Sequence, residues 1–119
     1  MKDRKLNEHE HQKIVIAAIR RDFPDVILFA IPNIGTAIPQ RGRWLKDEGV
    51  LAGVPDLMVA RAAQGFLGLF VEMKTLTGST SKEQKAIIAK LSSEGYLCKV
   101  CKGHESALSA IREYLGSTT

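Results

Sequence analysis

The stretch GVPDLMVARAAQGFLGLFVEMK, residues 53–74, decides how the rest of the chain is read. Two apolar runs, PDLMVA (55–60) and FLGLFVEMK (66–74), flank RAAQG, the pattern of two strands joined by a tight turn. A three-residue loop of Ala63, Gln64 and Gly65, with glycine at the left-handed closing position, is a favoured hairpin connection. That loop sets Ala62 opposite Phe66. Counting back along both strands then brings Asp56 opposite Glu72, on one face of the sheet. Pro55 is tolerable there because it stands at the first residue of a strand.

Glu72 and Lys74 interrupt the second, otherwise apolar strand, and side chains two apart on a strand share a face. Asp56 and Glu72 are like-charged neighbours with Cβ atoms about 5 Å apart. At an effective dielectric near 20 they repel by roughly 3 kcal/mol, more than the ~1 kcal/mol a cross-strand pair contributes. Spacing alone leaves two readings. Lys74 is the counter-ion of a buried acidic pair, which leaves one negative charge over, or the carboxylates hold a divalent, oxygen-binding ion such as Mg2+ or Mn2+. In the second reading Glu8, arriving from the first helix, adds a third carboxylate.

Working outward, Asn7 followed by Glu10 is a helix start, and the helix runs through EHQKIVIAAIRRDF until Pro24 forbids it. At 100° per residue Val15, Ile16, Ile19 and Phe23 share a face, and Glu8 and Gln12 project onto it. Glu10 points away with Lys13 and Arg21, as a solvated capping residue. VILFAI (26–31) is a strand closed by Pro32. The long connection that follows, rich in Gly, Pro and basic residues, reads as a functional loop with one short helix around residues 44–48. It gathers Arg41, Arg43 and Lys46, and Trp44 anchors it in the core.

Beyond the hairpin, the polar TLTGSTS ends in a capping box, either Thr80 with Glu83 or Ser81 with Gln84. The helix it starts runs to about Glu94 and stops at Gly95, with Gln84, Ile87, Ile88 and Leu91 on one face. A strand, YLCKV, and a helix over 105–115 complete the order α-β-β-β-α-β-α: an α/β fold with a mixed sheet and helices packed on it.

A length of 119 residues suits one domain over 1–119, and a formal charge of +4 favours polyanionic partners without demanding them. The polar N-terminus, MKDRKLNEHEHQK, lacks the apolar centre of a signal peptide, and no apolar run approaches the ~20 residues of a membrane span. A soluble, intracellular protein without a membrane partner is expected. Cys98 and Cys101, with His104 after them, raise a redox pair or a partial zinc site. Strand positions three apart point to opposite faces and no second ligand pair closes a four-coordinate site, so both read as packing cysteines. His9 and His11, two apart on a helix, do not face each other and read as surface residues.

GVPDLMV followed by FVEMK, taken as Pro55-Asp56 and Glu72-x-Lys74, resembles the PD-(D/E)xK nuclease superfamily. Around it stand NEHEHQ before the first helix, IPNIG after the first strand, RGRWLKDEGVLAGVPDL, and TSKEQKAIIAKLSSEGY. Together, over nearly the whole chain and in this order, they resemble a stand-alone virus-type replication-repair nuclease (VRR-NUC) domain. The resemblance implies a restriction-endonuclease-like αβββαβ core with a four-stranded mixed sheet. It implies a DNA endonuclease that hydrolyses phosphodiesters with Mg2+ or Mn2+ and needs no organic cofactor.

Carried over, the family's residues fall on Glu8, Gln12, Asp56, Glu72, Lys74 and Gln84. The resemblance makes Asp56 and Glu72 the metal holders, helped by Glu8 and the backbone carbonyl of Met73. Lys74 orients the attacking water and stabilises the transition state, and Gln84 and Gln12 position the site and the phosphate. Helix-face geometry chooses Glu8 over Glu10 independently. A solvated loop and a phosphate-contacting one both accommodate Arg41, Arg43 and Lys46 singly; as a cluster just before Asp56 they fit phosphate contact better. Small members of the family suggest a homodimer that cuts both strands of branched or Holliday-junction DNA, in the cytoplasm of a bacterial or phage-infected cell. The alternative is a noncatalytic nucleic-acid-binding module with the same fold. No added segment suggests the base-reading of a restriction enzyme.

Overall fold

The computed structural model describes residues 5–32 and 45–116. The expected loop cations Arg41 and Arg43, and the anchor Trp44, lie outside the described residues.

Four strands form one sheet in the order β1 (Leu28–Ala30), β2 (Leu57–Val59), β3 (Leu69–Lys74) and β4 (Leu97–Lys102). Three helices complete it: α1 (Glu8–Asp22), α2 (Lys82–Ser93) between β3 and β4, and α3 (His104–Leu115). The sheet is mixed, because β1–β2 and β2–β3 pair antiparallel and β3–β4 parallel. The parallel pair needs the crossover that α2 provides. This is the expected α/β architecture, in the expected order.

Strand β3 is central and buried on both faces from Leu69 to Met73, which is why it reads as a continuous apolar run. Alternation puts Leu69, Val71 and Met73 against the main core, which Val15 and Ile19 of α1 and Ala107 and Ile111 of α3 close. Phe70, Glu72 and Lys74 face the other layer, where α2 packs over β4 and Gln84 reaches Glu72. A charge in this strand is therefore a charge under a helix.

The hairpin closes differently from its expected form. Ala63 and Phe66 pair directly, exchanging backbone hydrogen bonds of 3.1 and 2.8 Å, around a two-residue turn rather than a three-residue loop. Both turn residues have positive φ, Gln64 at 53° and Gly65 at 86°, as a turn matched to strand twist requires. One extra residue on the β2 side, between the Val59↔Leu69 and Ala63↔Phe66 pairs, restores the count. Leu57 pairs with Val71, so the next position sets Asp56 across from Glu72. Register at the charged end is as expected, by way of a turn plus a bulge.

Helix α1 opens with a reciprocal cap: Glu10 N–H donates to Asn7 Oδ1 at 2.8 Å and Asn7 N–H donates to Glu10 Oε1 at 3.0 Å. For α2 the box is Ser81 with Gln84. The first strand is shorter than the six-residue run expected, but its pairing extends through Ile31 N–H to the Asp56 carbonyl at 2.7 Å. Residues 45–47 are helical, inside the short helix expected there. Cys98 is half-buried, Cys101 is buried, and both are free thiols. Among the described residues no helix is long and apolar enough to cross a membrane.

Candidate active site

The hairpin register sets Asp56 where its carboxylate turns to the neighbouring strand. Asp56 Oδ2 accepts the Met73 N–H at 2.7 Å. The expected metal-binding group of Met73 is its carbonyl; the group seen on Asp56 is its amide. Across the strand Glu72 is 2% exposed. Its Oε2 accepts from Gln84 Nε2 at 2.7 Å and faces Lys74 Nζ at 3.3 Å. Its Oε1 is buried and finds no partner among the described residues.

Gln84 joins these groups to α2. Its Oε1 accepts from Lys74 Nζ and from Ser81 N–H, each at 2.9 Å, while its Nε2 serves Glu72. Ser81 Oγ in turn accepts the Gln84 N–H at 3.1 Å. The capping box thus fixes which end of the amide faces the lysine and which the carboxylate, because only the oxygen can accept. A residue that caps a helix is also the one that orients Lys74.

Glu8, the first residue of α1, comes from the opposite layer. Carboxylate oxygens of Glu8, Asp56 and Glu72 all lie within 4.8 Å of one another. All three carboxyls are displaced upward. Burial and then the charges of Asp56 and Glu8, against the pull of Lys74, raise Glu72 to about 7. Burial raises Asp56 despite the Met73 N–H that favours its charged form. Partial burial and then Asp56 raise Glu8, although the residue as a whole is exposed.

Three carboxylates and one ammonium thus share a partly buried space, and one buried oxygen has no hydrogen-bond donor among the described residues. Hard divalent cations take oxygen ligands, and an added positive charge answers both the mutual repulsion and the unpartnered Glu72 Oε1. The donor set fits Mg2+ or Mn2+. Lys74 alone meets only one of the two Glu72 oxygens, so the counter-ion reading accounts for half of that carboxylate.

The other expected site residues are more dispersed. Gln12 lines a groove of about 410 Å3 along α1 with His9, Lys13 and Arg20. Lys46 is exposed. His11, expected at the surface, is half-buried and lies against His104, so the sequence reading of it is corrected here. The two are 93 positions apart, a separation about which helical spacing says nothing.

Comparison with known proteins bears on the same residues. The family model described as "VRR-NUC domain" matches residues 33–105, more than half of the chain. The match takes in Asp56, Glu72, Lys74 and Gln84 and begins after Glu8 and Gln12. A solved structure described as a "VRR_NUC domain protein" is similar over 95% of this chain and 91% of its own, with a TM-score of 0.78 and 28% identity. No curated protein matches.

Proposed function

Because this chain belongs to the VRR-NUC family, we propose that it is a divalent-metal-dependent DNA endonuclease that hydrolyses phosphodiester bonds. The observation that carries the reading is the convergence of Glu8, Asp56 and Glu72 around a buried carboxylate oxygen that has no donor among the described residues, with Lys74 beside it. A pure binding surface has no use for buried, mutually repelling acids, since phosphate backbones are held by cations.

Asp56, Glu72 and Glu8 would hold Mg2+ or Mn2+, with the Met73 carbonyl as a further oxygen ligand. The ion, when bound, supplies Lewis acidity that makes water a better nucleophile and stabilises charge gathering on the phosphate. Lys74, oriented by Gln84, presents its ammonium to the attacking water and to the phosphate oxygens, where preorganised charge acts without reorganisation. The Met73 amide favours the charged form of Asp56 against the effect of burial and fixes the carboxylate in direction. Lys46, Arg41 and Arg43, together with Gln12 on the α1 groove, contact the backbone and carry no sequence information. The whole chain acts as one nuclease domain in the cytoplasm. One site per short chain fits a homodimer that makes paired cuts in branched DNA, since two copies related by symmetry reach two strands.

The test is incubation of wild type and Asp56→Ala with labelled four-way junction, flap, linear duplex and single-stranded DNA, each in EDTA, Mg2+ or Mn2+. Metal-dependent cutting by wild type alone is expected, with symmetric incision of the junction. Uncut DNA that still shifts in a gel would replace the nuclease with a binding module.

A further inference from the structure

Helix α3 begins at His104 after Gly103, which has no side chain to cap it and a φ of 86°. The first turn of a helix leaves backbone N–H groups without partners. Here a residue of α1 supplies one. His11 Nδ1 accepts the His104 backbone N–H at 3.1 Å and lies 2.9 Å from His104 Nδ1. The two rings stack with centroids 5.1 Å apart and planes 28° from parallel.

A nitrogen that accepts from a backbone N–H carries no proton of its own, so the network assigns His11 its hydrogen on Nε2 and makes His104 Nδ1–H the second donor. Both hydrogen bonds converge on one atom of α1. The residue before them is tied to the site strand, because Gly103 N–H donates to the Lys74 carbonyl at 2.9 Å. His11 thus links α1 to the end of β3 that carries Glu72 and Lys74.

Glu8 sits three residues before His11 and on the same side of α1. It meets Asp56 and Lys74 through charge, with no hydrogen bond among its interactions with them. Among the described residues, no hydrogen bond on its own side chain sets where its carboxylate stands. The position of the first turn of α1 does.

We propose that His11 is a positioning residue of the metal site: by capping α3 across the layer, its imidazole holds the first turn of α1 where Glu8 completes the set with Asp56 and Glu72. The inference rests on the metal-site reading above. It assigns His104, through its amide and its Nδ1–H, the other half of the joint.

The experiment measures the Mn2+ concentration that gives half of the full rise in melting temperature, for wild type, His11→Ala, His11→Asn, Glu8→Ala and the Glu8→Ala/His11→Ala double variant. Hydrogen exchange at the His104 amide is followed in parallel. Asparagine keeps an acceptor close to where Nδ1 stood. His11→Ala is expected to raise the Mn2+ midpoint about tenfold, the lower end of what supporting groups around a metal contribute, and to expose the His104 amide. His11→Asn is expected to restore most of both. The double variant should bind no more weakly than Glu8→Ala, since His11 acts through Glu8.

An unchanged midpoint in a destabilised His11→Ala would overturn the proposal, leaving a structural cap only. So would additive losses in the double variant, or an asparagine no better than alanine. A wild type that shows no Mn2+ response would sink the metal reading itself, and this proposal with it. That failure is visible before any variant is compared.

Discussion

Glu72 is the residue where burial, charge and chemistry meet. Its carboxyl stands at about 7, against 4.5 for an ordinary glutamate, so between those values the folded chain holds a proton that the unfolded chain has released. Stability therefore falls as pH rises through this window and levels off above about 7, the reverse of a salt-bridged acid. The same direction holds for Asp56 and Glu8, so the cluster acts together. The part of the loss that belongs to Glu72 is about 3 kcal/mol, given the size of its shift. Asp22 behaves oppositely: its hydrogen bond to Arg21 leads in holding its carboxyl down at about 2, and the stability tied to it fades only as pH drops below the usual aspartate range. The two windows do not overlap. Urea titrations of the metal-free protein from pH 4.5 to 8 should show a decline that Glu72→Gln largely removes. A flat profile in wild type would show that the carboxylates are better solvated than the geometry indicates.

At the scale of elements, α2 is an arm that presents Gln84. Ser81→Ala removes the oxygen that accepts the Gln84 N–H and should cost about 1 kcal/mol by thermal melting, the usual cost of losing a side-chain cap. The same variant should reduce cleavage, because the Gln84 side chain loses the helix start that aims it at Lys74 and Glu72. Loss of stability with an unchanged cleavage rate would show that Lys74 and Glu72 orient Gln84 by themselves. The loop before β2 packs against the same arm. Gly53 has a φ of 91°, and a Cβ built there would stand 2.8 Å from the Glu83 backbone oxygen. Gly53→Ala combines a left-handed conformation with a clash against helix backbone, which cannot swing aside as a flexible side chain does. It should lower stability by more than about 2 kcal/mol, against roughly 1–2 kcal/mol for left-handed backbone alone. A melting temperature within a degree of wild type would mean that the loop and α2 separate easily.

Across the whole molecule the site is a seam between layers. Glu8 comes from the α1 layer, Asp56 and Glu72 from the sheet, and Gln84 from the α2 layer, so an ion bound there ties three layers together. Binding to the folded chain alone stabilises it by RT ln(1 + [L]/Kd), about 2.7 kcal/mol at a hundredfold excess over Kd. Because protons compete for the same carboxylates, the rise in melting temperature with Mn2+ should be clearly larger at pH 7.5 than at pH 5.5. Equal shifts at the two pH values would place the ion away from Glu72.

Much of this arrangement is legible in the chain because it depends on local periodicity. Alternation puts Glu72 and Lys74 on one face, turn chemistry puts Asp56 opposite Glu72, and 100° spacing separates Glu8 from Glu10, whose carboxylate closes the helix cap. The capping boxes and the α-β-β-β-α-β-α order follow from the same short-range rules. The turn type was not legible: a three-residue loop and a two-residue turn with a bulge count to the same register, so the residues at the far end cannot tell them apart. Tertiary structure alone decided that Ser81 rather than Thr80 caps α2, that Glu72 keeps one oxygen without a donor among the described residues, and that His11 is half-buried against His104. The last two depend on which distant groups reach a given atom. Side-chain periodicity determines which way a residue points, and only the packing of layers determines what it meets.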